Sequence, residues 1–278
     1  MRHATPADPG LLGPDSVAWR VVGHPVALVG GLRALILQSL HPLAMAGVAL
    51  HSDYKGRPLN RLRRTAGYVA ATIFGDTETA HEAARRVRLM HRKVRGTDPV
   101  TGQRYSADDP DTQLWVHCVE WHSFLAAYRA YGGRLTPAEQ DRFLSEGVRI
   151  AELVGVPGER VPASVAAMRD YFEAVLPQLC VTAAAREAID FVLHPPLTRE
   201  LLPLQIPLRV ASQAAVAIVP RHLRALVGID HPGAFDALTV AAVRPAAAAL
   251  RLPLLRDAPG LVLPDTSRIT RNALRAAA

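Results

Sequence analysis

The longest apolar stretch of the chain, residues 31–50, limits most strongly what the sequence can fold into. Its length matches the roughly 20 apolar residues that a helix needs to cross a bilayer. However, the stretch also contains Arg33, Gln38, His41 and Pro42. Charged and polar groups are costly in lipid, and a proline interrupts the hydrogen bonds of a helix. We therefore expect a buried core helix that breaks at Pro42.

A second apolar run, residues 203–220, is interrupted by Pro207 and carries Arg209 and Gln213. These residues again favour a core helix over a membrane span. The alternative is that the run lies on a membrane surface, so that the protein makes a peripheral membrane contact.

The N-terminal residues and the cysteines bear on where the protein works. No apolar segment follows the N-terminal charges, so we predict no secretion signal. The two cysteines, Cys118 and Cys180, cannot form a disulfide framework or a zinc site between them. We therefore expect a cytoplasmic protein.

Composition and periodicity favour an all-α fold. The chain has 278 residues, of which 49% are hydrophobic but only 5% aromatic. Abundant alanine and leucine favour helices over sheet. No strand alternation, repeat or long linker is evident, so we predict a single globular multi-helix domain over residues 1–278.

Local signals predict where several helices begin and end. The expected N-caps are Asn60, Asp76 or Thr77, Asp111 and Thr136, the last in a capping box with Glu139. The helix after Asp76 is expected to end at Gly96. Later helices are expected at about 162–176, 183–193, 208–219, 220–227, 233–250 and 266–276.

The net charge of +7 raises the question of an anionic partner. Basic residues are scattered except in residues 85–95, and no helix-turn-helix, RNA-recognition or zinc-finger pattern accompanies them. A dense basic helix is most often a solvated surface, so we predict no nucleic-acid partner.

The familiar catalytic motifs are absent from the sequence. There is no GxSxG elbow, no phosphate-binding loop, no GxGxxG after a strand, no HExxH and no CxxC. Acidic residues do not pair on an apolar helix face, which argues against a carboxylate dyad or a di-iron bundle. His117 and His122 are five residues apart and fall on different helix faces, so they make a poor metal pair.

Polar side chains line one face of the helix predicted over residues 60–68. Arg61, Arg64, Thr65 and Tyr68 recur at spacings of three and four, which places them on a single face. Such a row suits a surface helix, and it equally suits a wall that binds an anionic cofactor.

The next helix carries a histidine on its apolar face. His91 lies between Val87 and Val94, whereas the arginines of this segment, including Arg88, are expected to point elsewhere. A core histidine bonded to a carbonyl would give this pattern, and so would a ligand to a cofactor. Both interpretations stand at this point.

Several spaced segments resemble the oxygenase family that includes the fungal mpaB-type enzymes and the bacterial latex-clearing rubber oxygenases. They are LILQSLHPLAMAGVALHSDY (35–54), RLRRTAGY (61–68), FGDTETAHEAARRVRLMHRKVRG (74–96), YSADDPDTQLWVHCVEWHSFLAAY (105–128), DRFLSEGVRIAELVGVP (141–157) and PLRVASQAAVAIVPRHLRALVG (207–228). The resemblance spans roughly residues 20–230, and the order of the segments makes it more specific than any single motif.

The resemblance implies an all-α domain that binds haem b and cleaves or oxidises unactivated C=C bonds with dioxygen. The histidine of the family's xRLxHxxVxG segment, here His91, is implied as the proximal iron ligand. The family's arginine and threonine row matches Arg61, Arg64 and Thr65, on the distal or propionate side, and Tyr68 continues that row. The histidine of the WVH segment matches His117, with a supporting role.

One part of the family pattern is missing. Rubber-cleaving members are expected to carry a distal glutamate as a base about four turns before the arginine row, but residues 34–56 contain no glutamate. Met45 or Ala44 falls near that place. His41, one turn earlier, is the nearest replacement, and Gln38 can form a hydrogen bond there but cannot take up a proton.

We therefore expect a haem b-dependent oxygenase in which His91 binds the iron. The expected partners are a small apolar organic substrate, dioxygen or peroxide, and an electron donor that the sequence does not identify. The alternatives are a helical protein that binds or carries haem without turnover, and a protein that binds a hydrophobic ligand without any cofactor.

Overall fold

The computed structural model describes residues 8–53, 56, 58–195, 202–229, 231–250 and 269. Within this part of the chain there are twelve α-helices and one two-stranded antiparallel sheet. The predicted all-α class is confirmed. The extent of the domain, residues 1–278, stays a prediction.

The first three helices are α1 (Val17–Val22), α2 (Ala27–Gln38) and α3 (Pro42–His51). The predicted break at Pro42 is confirmed, because α3 starts there and His41 is its N-cap. Pro42 occupies the first turn, where a missing N–H costs no intrahelical bond. The axes of α2 and α3 differ by 104°.

The bend bears on the membrane question. Among the helices that the structure describes, none is by itself long and apolar enough to cross a membrane. The bent pair of α2 and α3 passes the same test of length and composition when the two are taken together.

The next two helices, α4 (Pro58–Phe74) and α5 (Thr77–His91), pack against each other. Asp76 caps α5 as predicted, since its Oδ1 accepts the N–H of Thr79 at 2.7 Å. The predicted N-cap at Asn60 is wrong, because α4 already begins at Pro58 and Asn60 lies inside its first turn.

The expectation that no strand forms is wrong for the segment after α5. Strand β1 (Arg95–Thr97) pairs with β2 (Arg104–Ser106) in an antiparallel hairpin. The buried carboxylate of Asp98 organises the turn by accepting the N–H and the hydroxyl of Thr101, at 2.9 and 2.6 Å. The hairpin also explains why α5 ends at His91 and not at the predicted Gly96, which lies in β1.

The longest helices follow, α6 (Pro110–Ala127) and α7 (Pro137–Val154). The predicted cap at Asp111 is wrong, because Asp109 accepts the N–H of Thr112 at 2.9 Å and Pro110 already opens the helix. The capping box of Thr136 and Glu139 at the start of α7 is confirmed.

The remaining helices are α8 (Val165–Val175), α9 (Ala183–Leu193), α10 (Gln205–Ala217), α11 (Arg221–Val227) and α12 (Gly233–Ala249). They match the predicted positions to within about one helical turn. The helix expected at 266–276 lies outside the described residues, apart from Ile269.

Helix α6 lies at the centre of the fold, where it packs along α2 and α7 and contributes to both core clusters. The indole N–H of Trp115 donates to the Gln38 carbonyl at the end of α2, at 3.3 Å. Gly30 allows the two helices to approach closely, since a Cβ at this position would lie 2.9 Å from the ring of Phe124.

The second apolar run forms α10, which is a core helix only in its second half. Ala214, Ala215 and Val216 are buried, whereas Ile206 is 77% exposed and Val210 48% exposed. The first half of α10 therefore presents apolar side chains to solvent.

Candidate functional site

His91 is the last residue of α5, and one of its ring nitrogens has no partner. The side chain is half-buried, and Nδ1 is fully buried without a hydrogen bond among the described residues. Burial lowers the pKa of His91, and the nearby charge of Asp108 opposes that shift only in part. Burial thus favours the neutral form of the ring, and its Nδ1 has no hydrogen-bond partner in the described part of the chain.

Arg88 lies one turn before His91 and also has an unpartnered atom. The sequence pattern assigns Arg88 to the solvated side of α5, but the structure half-buries it and leaves its Nε buried without a hydrogen bond. The guanidinium lies beside Gly155 at the end of α7, where an added Cβ would be 3.6 Å from Nη2. The i,i+3 spacing from His91 was the only sequence signal for this placement.

The row on α4 runs from the surface towards the interior. Arg64 and Thr65 are exposed, Arg61 is half-buried and donates to the hydroxyl of Ser52 after α3, and Tyr68 is half-buried. Burial raises the pKa of the Tyr68 hydroxyl, and the negative charge of Glu120 on α6 raises it further. The row thus has two cations at its outer end and a desolvated phenol at its inner end.

Three polar side chains share one face of α6, at positions 113, 117 and 120. His117 is buried against Trp121, with ring centroids 5.6 Å apart, and burial lowers its pKa to about 3. Gln113 is buried and its Oε1 has no partner within the described part of the chain. Glu120 is half-buried, and burial raises its pKa to about 7. Sequence reasoning found only His117 of these three.

His41 and Gln38 lie at the junction of α2 and α3, and their polar atoms are already bonded. The Nδ1 of His41 accepts the N–H of Ala44 at 3.4 Å, as the cap of α3. Its ring lies 5.8 Å from that of Trp115, and burial lowers its pKa. The amide of Gln38 donates to the carbonyl of Val116 at 3.0 Å.

His117 and His122 do lie in different surroundings, as their spacing predicted. His122 contacts Arg33 of α2 and the ring of Phe172 on α8. In the part of the chain that the structure describes, no three His, Cys, Asp or Glu side chains form a group that could hold a metal ion.

The unpartnered polar atoms are concentrated on two helices. Five buried side-chain atoms lack a hydrogen bond among the described residues, and three of them belong to Arg88, His91 and Gln113. Leaving such an atom unpaired costs about 1–3 kcal/mol. A bound ligand with suitable groups would offset that cost. We call these three residues, with Tyr68, His117 and Glu120, the candidate site.

Two curated relatives share part of the sequence. The uncharacterized protein Rv2237 of Mycobacterium tuberculosis and the uncharacterized protein Mb2261 of Mycobacterium bovis are each 29% identical over 174 residues. The match covers 62% of this chain and 58% of each relative, so the chain spans less than two thirds of their length. No solved structure matches the chain.

A family model matches most of the chain. It is described as "ER-bound oxygenase mpaB/B'/Rubber oxygenase, catalytic domain", and it covers residues 19–252. This range includes α2 to α12, all of the candidate site and the α4 row. The chain therefore belongs to the mpaB/rubber oxygenase catalytic-domain family.

Proposed function

We propose that the chain is a haem b-dependent oxygenase that acts on a small apolar organic substrate, with His91 as the protein ligand to iron. The observation that carries this proposal is the buried Nδ1 of His91, which has no hydrogen-bond partner among the described residues. A buried nitrogen without a hydrogen bond is rare unless a ligand completes its environment.

A single histidine is sufficient for such a site. Because a porphyrin supplies four nitrogens itself, His91 alone would suffice as the protein's ligand to the iron. A site built on His91 is therefore compatible with the finding that no three metal-binding side chains come together in the described residues. Neutral imidazole is also the form that coordinates iron, and burial, which lowers the pKa of His91, favours that form.

The outer end of the α4 row suits the carboxylates of a haem. Arg61 and Arg64 provide cations close to the surface, where the two propionates of a haem usually meet solvent, and Thr65 adds a hydroxyl donor. We propose that these three residues bind the propionates or orient a polar group on the distal side. Tyr68 and His117 lie deeper and would line the ring.

We place His41 and Gln38 behind the site and not within it. Both residues already use polar atoms to hold α3 and α6 in place. Their contribution is then to fix the break at Pro42, which carries α3 back towards the hairpin.

When bound, haem supplies the activation of dioxygen or peroxide that side chains cannot provide. The side chains of this chain would hold the ring, orient the substrate above it and exclude water.

Titration of the apoprotein with hemin tests the proposal. We expect the wild-type protein to bind hemin with a Soret band, and His91→Ala to lose affinity by at least about tenfold and to shift the band. His81→Ala is the matched control, because His81 is exposed on the same helix and should change neither property. An unchanged spectrum for His91→Ala would disprove the ligand assignment.

Oxygen uptake separates the oxygenase from a haem carrier. The hemin-loaded protein is mixed with apolar alkenes in the presence of a chemical reductant, and dioxygen consumption is recorded. Consumption that depends on the alkene supports the proposed function. Haem binding without any such consumption supports the carrier instead.

A further inference from the structure

The arginines in and just after α5 differ in burial and in their acceptors. Four of them are exposed, and each has an acceptor within the described residues: a carboxylate for Arg85, Arg86 and Arg92, and a backbone carbonyl for Arg95. Arg88 is half-buried, and its guanidinium has neither a hydrogen bond nor an ion pair in the described part of the chain. The arginine for which burial costs the most free energy is therefore the one that lacks an acceptor.

The end of α7 contacts the Arg88 side chain without bonding to it. The guanidinium lies beside Gly155, and the backbone N–H of Gly155 itself caps α7 by donating to the Glu152 carbonyl at 3.0 Å. The carboxylate of Glu152 lies beside Gly158 and forms no ion pair with Arg88. Arg88 therefore does not cap α7, and its donors are available to an acceptor from outside the described chain.

Arg88 and His91 are neighbours on one face of α5. They are three residues apart, a spacing that leaves about 5–6 Å between the two Cβ atoms. Each has a buried nitrogen without a hydrogen bond among the described residues, Nε in Arg88 and Nδ1 in His91. A guanidinium binds an acceptor, most strongly a carboxylate, whereas an imidazole nitrogen can bind a metal ion. One molecule that binds to both side chains must therefore carry a metal ion and an anionic group.

Resting on the proposed function, we propose that Arg88 binds one propionate of the haem whose iron binds to His91. The planar guanidinium can donate two parallel N–H bonds to a carboxylate, one of them from the unpartnered Nε. His91 then holds the ring at its centre, and Arg88 holds it at its edge from the same helix. The cations of the α4 row, Arg61 and Arg64, remain for the second propionate or for the distal side.

Hemin and its dimethyl ester test this inference, because the ester keeps the iron and the ring but neutralises both carboxylates. Each compound is titrated into the apoprotein in the same cosolvent, and the preference for hemin is the ratio of the two dissociation constants. We expect Arg88→Gln to weaken hemin binding by about tenfold and to leave ester binding nearly unchanged, since only hemin offers a carboxylate to the guanidinium. The preference for hemin should therefore decrease.

The preference is measured within each variant, so a general weakening of the site by a substitution cancels. Arg85→Gln is the matched control, because Arg85 is exposed on the same helix and should leave the wild-type preference unchanged. Arg88→Met keeps a long side chain without any N–H donor. It should decrease the preference as Arg88→Gln does, and it replaces that variant if the glutamine prevents folding.

The outcomes separate this inference from the proposed function. A wild-type preference in both Arg88 variants, with hemin still bound, would overturn the role of Arg88 and leave the haem site standing. A decrease of the preference in Arg64→Gln alone would overturn it as well, because both propionates would then lie at the α4 row. Failure of the wild-type protein to bind hemin would overturn the proposed function, and this inference with it.

Discussion

The contact between α2 and α6 and the C-terminal end of α5 both bury polar side chains, but only the first provides partners for them. Arg33 of α2 is 1% exposed, and its guanidinium donates to the Ile218 carbonyl at 2.9 Å and to the Ser123 hydroxyl at 2.7 Å. At the end of α5, Arg88 and His91 each keep a buried nitrogen without any partner among the described residues.

We interpret this difference as one between a polar group that stabilises the fold and two groups that we propose to bind a ligand. Hydrogen bonds within the protein offset the desolvation free energy of a fully paired buried group. The desolvation free energy of an unpaired buried group is not offset and destabilises the fold. Removal of a paired group should therefore destabilise the apoprotein, whereas removal of an unpaired group should not.

The largest loss of stability is expected where a buried charge loses its partner. Arg224 is 2% exposed and pairs with Asp236 through two bonds of 2.7 Å. Asp236→Ala leaves the buried guanidinium without its carboxylate and with only the ring of His231 beside it, which should lower the free energy of unfolding by about 3 kcal/mol. Urea denaturation measures this loss. Asp190→Ala, which removes an exposed pair with His194, is the control and should have little effect.

A smaller loss is expected at Arg33. Arg33→Leu removes the donor to Ser123 and to the Ile218 carbonyl, and it should lower the free energy of unfolding by about 1–2 kcal/mol. Burial of the Arg33 charge costs free energy, as its pKa, lowered to about 9, indicates. Leucine avoids this cost, so the net loss of stability is limited. Urea denaturation that gave no loss would contradict the structural role assigned to this residue.

The buried histidine His117 predicts how stability depends on pH. Its pKa in the folded protein is about 3, below the ordinary value of 6.5. Above pH 6.5 both states are neutral and this contribution is complete. As the pH falls from 6.5 towards 3, His117 is protonated in the unfolded chain but not in the folded protein, so the free energy of unfolding decreases.

His117→Phe removes this difference in proton uptake between the folded and unfolded states. The free energy of unfolding of the variant should therefore decrease less steeply as the pH falls. Urea denaturation at a series of pH values measures the slope. His122, whose pKa burial also lowers to about 3, contributes in the same range and remains in the variant. A slope equal to that of the wild-type protein would show that the folded protein protonates His117 without penalty.

The smallest effect on the apoprotein is expected at His91. His91→Leu removes a buried nitrogen that has no hydrogen bond, so the free energy of unfolding should change by less than about 1 kcal/mol. Urea denaturation of the two apoproteins measures the difference. A loss as large as that of Asp236→Ala would mean that His91 is a structural residue.

Helix positions and several caps were predictable from the sequence because they depend on local signals. Pro42 breaks the apolar run and Asp76 caps α5, both as expected, since their effects act within one turn. The caps predicted at Asn60 and Asp111 were wrong because Pro58 and Pro110 already start these two helices. The hairpin after α5 was missed because its strands have only three residues each.

The candidate site was predictable only in part. His91 and the α4 row stand out through spacing and through the resemblance to a family. The sequence does not single out Arg88, Gln113 and Glu120, because they are assigned to the candidate site through their burial and their lack of hydrogen-bond partners. A glutamine or glutamate on a long helix resembles an ordinary surface residue until the packing of the neighbouring helices is known.

Imidazole rescue tests the central claim, that His91 binds a haem iron, most directly. His91→Gly leaves space for a free imidazole where the side chain was, while the rest of the site remains. We expect the hemin-loaded variant to lose the wild-type absorption spectrum and to regain it when imidazole is added, with His81→Gly unchanged throughout. A His91→Gly variant whose spectrum matches that of the wild-type protein before imidazole is added would contradict the claim.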